Sequence, residues 1–174
     1  MPIRYNQTNT SNGFTLLEVM IAMVIFSIGL LGLAGIQAVA IQNNNSAYTR
    51  TVSMQLAYNM TDVLRASTDG TGNISTAYDS VSTAIPGTAP ASCIQKNGGG
   101  APNCSDTALA SFEIYQWKKR IEKELASGLG SISKTGNVYT ITIMWDDEHT
   151  GATGTACGTN SAVDLKCYAL DIQT

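Results

Sequence analysis

At 174 residues the chain has room for one globular domain and an anchor, and little more. Hydrophobic residues make up 44% and charged residues 13%, an apolar excess concentrated at residues 14–36, where Thr15, Glu18 and Ser27 are the only polar side chains. The net charge of −3 excludes a general nucleic-acid binder, which needs a clear basic excess, but leaves room for a local basic patch.

Residues 1–13, MPIRYNQTNTSNG, are polar and carry one positive charge, Arg4. The apolar run that follows would rise about 35 Å as a helix, enough to cross a hydrocarbon core of about 30 Å. A secretory signal peptide has a shorter apolar core with its small-residue cleavage site behind it. Here the run is long and Gly13 precedes it. A plain signal-anchor helix explains the length but not Glu18. A carboxylate inside a membrane segment costs roughly 3 kcal/mol or more unless it is paired. Cleavage after Gly13 would create an ammonium at Phe14 on the same helix end, and a neighbouring subunit's ammonium is an equally natural partner.

Past the membrane-length run, Ile41, Tyr48, Val52, Leu56, Met60 and Val63 recur mainly at four- and three-residue steps. The spacing predicts one helix over residues 14–66, its second half against a globular domain, stopped by Asp69-Gly70-Thr71-Gly72-Asn73. Residues 67–105 hold three of the four prolines and read as an irregular connection. Its Gly98-Gly99-Gly100 run lacks the flanking strand and Lys-Ser/Thr of a phosphate loop and reads as a loop tip. Asp106 is expected to cap a second helix reaching about Ala126, with Gly128 as its stop. Ala110, Ile114, Trp117, Ile121 and Leu125 form its buried stripe. Antiparallel strands follow. Ile132 and Val138 flank a Thr135-Gly136-Asn137 turn, residues 138–145 alternate with Tyr139, Ile141, Ile143 and Trp145 on one face, and a last strand covers about 164–172.

Cys93, Cys104, Cys157 and Cys167 allow three disulfide connectivities. Pairing 93 with 104 and 157 with 167 is preferred, because each bond closes a short loop rich in Gly, Asn and Ser. Gaps of ten and nine residues are too wide for paired zinc ligands, and the single His149 is not spaced as a partner. His149 follows Asp146, Asp147 and Glu148 in a loop. No nucleophile stands by for it to activate, and the acidic run lacks calcium-loop spacing, so a solvated acidic turn is expected. Lys118, Lys119, Arg120 and Lys123 lie beside Phe112, Tyr115 and Trp117, a candidate contact for DNA or another ligand. Interspersed Glu113, Glu122 and Glu124 favour an ordinary solvated face. No enzyme site, cofactor or metal is implied.

The string Gly13-Phe14-Thr15-Leu16-Leu17-Glu18 before an apolar run resembles the class III signal of type IV pilins and type II secretion pseudopilins. That resemblance implies cleavage by a prepilin peptidase after Gly13, N-methylation of Phe14, and a role for Glu18 in assembly. Major pilins usually carry a proline near the twenty-second mature residue, where this chain has Gly35, in step with Gly29 and Gly32. Tyr115-Gln116-Trp117-Lys118, Gly128-Leu129-Gly130, residues 139–146 and Ser27-Ile28-Gly29-Leu30-Leu31-Gly32-Leu33 resemble the PilV-type minor pilins, or type IV pilus modification proteins. The resemblance implies an α+β pilin-like fold, a long N-terminal helix packed on a C-terminal antiparallel sheet. It divides the chain into a leader (1–13), a transmembrane and assembly helix (14–36) and a head (37–174). A minor pilin that primes or supports filament assembly is the implied function. Its partners would be other minor and major pilins, the prepilin peptidase and the inner-membrane assembly machinery. It would sit in the inner membrane by a single pass, head in the periplasm, before reaching the pilus. A receptor pilin binding DNA or a host ligand, or a secretion pseudopilin, are the alternatives.

Overall fold

The structure, a computed structural model, describes residues 13–68, 73–94 and 104–173. Leader residues 1–12, the helix-stop residues 69–72 and the glycine run 98–100 lie outside it. Helix α1 covers Leu16–Ala66, a span with no proline to interrupt it. The chain forms two compact units, one up to Asn44 and one from Asn45 onward. In the first, every described residue of α1 is exposed.

In the second unit α1 buries Val52, Ser53, Leu56, Ala57, Met60, Thr61 and Leu64. This stripe differs from the expected one, since Tyr48 stays 66% exposed and small residues join the contact. Ser53 and Thr61 lie on the buried face because their hydroxyls are satisfied within the helix, donating to the carbonyls of Arg50 (2.7 Å) and Ala57 (3.1 Å).

Helix α2 covers Asp106–Glu124. Its cap is Ser105 rather than Asp106: the Ser105 hydroxyl accepts from the Ala108 N–H at 3.3 Å, and Asp106 lies in the first turn, where its charge favours the positive helix end. The helix stops before Ala126 because Leu125 turns extended, its N–H still donating to the Ile121 carbonyl at 2.9 Å.

The sheet holds β1 (Ser80–Val81), β2 (Leu129–Thr135), β3 (Val138–Trp145) and β4 (Lys166–Gln173), antiparallel throughout and ordered β1-β2-β3-β4. Thr135 pairs with Val138 across a two-residue loop in which Gly136 takes φ 62°, a conformation that favours glycine. The expected irregular connection is thus not wholly irregular. It carries a 3-10 turn at Thr76–Tyr78 and the edge strand β1, both too short to alternate visibly in the sequence.

Tyr139, Ile141, Ile143 and Trp145 of β3 share a core with the buried face of α1, with Trp117 and Ile121 of α2, and with Tyr78. This is the α+β arrangement expected, a long N-terminal helix whose later part packs with an antiparallel sheet. Met144 points to the opposite face and closes a smaller cluster with Ala152 and Leu165. Trp117 donates its indole N–H to the Leu56 carbonyl at 3.0 Å, joining the two helices. Gly130 makes room for it: a Cβ there would lie 2.6 Å from the Trp117 ring and 2.5 Å from Ile121 Cδ1. Gly130→Ala is therefore expected to destabilise this unit by about 1–3 kcal/mol, read as a shift in urea midpoint at constant slope.

Candidate processing and assembly site

The first turn of α1 is shaped by Thr15, whose hydroxyl and carbonyl both accept from the Glu18 N–H, at 3.3 and 3.1 Å. Thr15-Leu16-Leu17-Glu18 has the spacing of a capping box. Only the threonine half is made, and no hydrogen bond from a described residue reaches the Glu18 carboxylate. Phe14, Glu18, Ala22 and Phe26 line one face at helical spacing. Phe14 is 81% exposed, and among the described residues no cation pairs with Glu18. The site therefore consists of an exposed glycine–phenylalanine junction, at Gly13 and Phe14, followed one turn later on an apolar helix by a carboxylate that no described cation pairs. That helix is long and apolar enough to cross a membrane. An added Cβ at Gly29, Gly32 or Gly35 would meet nothing within 4 Å.

The other candidate residues are distributed differently from expectation. Lys118 does not belong to a surface patch. It is 3% exposed, and its ammonium donates to the carbonyls of Ser82 (2.5 Å) and Ala84 (2.6 Å), with burial pushing its pKa down. Lys119 pairs with Glu122 at 2.8 Å on the surface, while Arg120 lines a groove with Met60, Leu109 and Phe112. What remains exposed is a mixed-charge helix face.

The expected solvated turn holds for Glu148, which is exposed, but not for the two aspartates before it. Asp146 is 5% exposed and accepts from the N–H groups of Thr150 (3.1 Å) and Gly151 (2.7 Å), holding the bend in which His149 takes φ 53°. The Asp147 side chain is 3% exposed. It accepts from Ser46 (2.6 Å) and Thr49 (2.7 Å) on α1, from the Trp145 indole (3.0 Å) and from Lys166 (2.8 Å). Burial pushes the Asp147 carboxyl up. The bonds from Lys166, Ser46, Trp145 and Thr49 more than reverse this and hold it well below the usual carboxylate range. Asp147 thus ties helix to sheet at the point where this compact unit begins. Nothing in the sequence links Ser46 and Thr49 to a carboxylate about a hundred residues later. Only their three-residue spacing, which puts two hydroxyls on one helix face, hinted at a shared partner. Among the described residues no cluster of three or more His, Cys, Asp or Glu is placed to hold a metal.

The structure bonds Cys93 to Cys104 and Cys157 to Cys167. In comparisons with known proteins, the family described as the prokaryotic N-terminal methylation motif matches residues 8–34, the stretch that contains Gly13, Phe14 and Glu18. No curated protein and no solved structure matches the chain. The chain therefore carries the N-terminal signal of pilin-like proteins, on an α+β fold whose first helix begins with an exposed, apolar stretch.

Proposed function

We propose that the chain is a minor pilin, a structural subunit that primes or supports assembly of a type IV pilus. The methylation motif at residues 8–34 carries this reading. The leader 1–13 is removed by a prepilin peptidase and Phe14 is N-methylated. Residues 14–36 hold the subunit in the inner membrane and then in the filament, and 37–174 form the head. Glu18 is the register device. Unpaired among the described residues, it meets the N-terminal ammonium of a neighbour once helices bundle, so correct stagger is the arrangement that neutralises it. The PilV-type assignment rests on the residue strings around Ser27, Tyr115 and Tyr139. Partners are other minor and major pilins and the inner-membrane machinery. A ligand role for the α2 lysines is disfavoured by the burial of Lys118.

The test is intact mass and N-terminal sequencing of the chain expressed with and without a prepilin peptidase. The expected product with peptidase begins at methylated Phe14. A chain still beginning at Met1 beside an active peptidase would overturn the proposal. Type II secretion, the alternative destination, is distinguished by recovering the processed chain from sheared pili rather than from a secretion pseudopilus.

A further inference from the structure

Residues 45–51 of α1 open the second compact unit without entering its core. Ser46 and Thr49 are half-buried, the other side chains of this stretch are exposed, and burial begins only at Val52. Among the described residues, the only hydrogen bonds or ion pairs tying the stretch to the sheet or its loops are those from Ser46 and Thr49 to Asp147. The Thr51 hydroxyl stays within the helix and donates to the Ala47 carbonyl at 2.9 Å. From Val52 onward the attachment is of another kind. Leu56, Ala57, Met60 and Leu64 are buried in the core, and the Trp117 indole holds the Leu56 carbonyl at 3.0 Å.

The two hydroxyl bonds can be lost without stranding a charge. Each oxygen of Asp147 has one donor from α1 and one from the sheet. Oδ1 accepts from Thr49 (2.7 Å) and the Trp145 indole (3.0 Å), and Oδ2 accepts from Ser46 (2.6 Å) and Lys166 (2.8 Å). When α1 leaves, both oxygens keep a donor and water can replace the hydroxyls. On the helix side, the Thr49 hydroxyl also lies 3.0 Å from the Ser46 carbonyl, so its single proton has a second acceptor within the helix. A polar group that exchanges one partner for another loses little net free energy, whereas apolar surface pulled from a core has no such substitute.

We propose that Asp147 is a latch: residues 45–51 of α1 release from the sheet and re-dock as one piece, while the core from Val52 onward stays closed. Release adds about 10 Å to the length of α1 that this unit does not hold. A load on the helix is then taken up by two hydroxyl bonds before it reaches the apolar core. The inference does not depend on leader cleavage or on the pilin reading.

The test uses the full chain in detergent micelles, spin-labelled at Ala47→Cys and Ala169→Cys, with Gln55→Cys and Ala169→Cys as the reference pair; all three positions are exposed. Both pairs are expected to give narrow distance distributions in the native background. Mild urea is expected to broaden the 47–169 pair before the 55–169 pair, or the near-ultraviolet circular dichroism of the core aromatics, changes. Ser46→Ala with Thr49→Val is expected to broaden the 47–169 distribution at least twofold without urea, leaving the reference pair and the dichroism unchanged. A 47–169 distribution as narrow as native in that variant would overturn the proposal. So would broadening of both pairs together, in urea or in the variant, which would make residues 45–51 part of the core's single transition.

Discussion

Glu18→Ala is expected to leave membrane insertion intact while reducing recovery in sheared filaments by about a hundredfold or more. The two effects separate because the carboxylate acts in opposite directions in the two settings. In the bilayer it is a burden, costing roughly 3 kcal/mol, so its removal makes the helix a better membrane segment. In a bundle of apolar helices with a neighbouring ammonium it is half of a buried ion pair. Removing one partner of such a pair typically costs about 3–5 kcal/mol, because the other charge is left uncompensated. Glu18→Gln is expected to behave similarly, since the loss is of charge rather than shape. Quantifying the chain in membrane and filament fractions checks both halves, and normal filament incorporation of either variant would remove Glu18 from the assembly mechanism.

Asp147→Ala is expected to destabilise the unit beginning at Asn45 by about 3–5 kcal/mol, a large part of the roughly 5–15 kcal/mol that holds a typical domain. Little of this comes from Lys166, whose side chain is 47% exposed and whose ion pair is screened. The larger part comes from Ser46, Thr49 and the Trp145 indole, whose donors point at one carboxylate that is 3% exposed. Ser46→Ala or Thr49→Ala, by comparison, should each cost about 1 kcal/mol. The same site predicts a pH dependence. Because the folded carboxyl is held below its unfolded value, its stabilisation is fully present above about pH 5 and is lost as pH falls through 4 toward the folded pKa. Urea denaturation between pH 7 and 3 should show that slope in the native chain and a shallower one in Asp147→Asn. Equal slopes would mean that Asp147 does not set acid lability.

The N-terminal motif was legible in the sequence because its parts are local: a glycine–phenylalanine junction, a carboxylate one turn later and a membrane-length run are all adjacent in the chain. The α2 stripe and the alternation of β3 were legible for the same reason, each burying one face at its own period. Partners set by long-range contacts were not. Asp147 and its neighbours look like a wet acidic turn until the fold brings Ser46 and Thr49 to them. Lys118 looks like part of a basic patch until the 82–84 carbonyls take its ammonium. Strand β1 is only two residues long and is defined by pairing with Ile132 and Ser133, so no periodicity could announce it.

The two disulfides join cysteines that are consecutive along the chain, separated by 11 and 10 positions. Neither bond spans the other, and neither requires the sheet to be complete before its partner sulfur comes within reach. In the proposed topology the head crosses in chain order behind its membrane helix, and Cys93 and Cys104 reach the oxidising side before Cys157. An enzyme that merely oxidises thiols in order of arrival then produces the native set, without any isomerase to reshuffle it. On the proposed location, the order of the cysteines along the chain is the order in which they meet the oxidant.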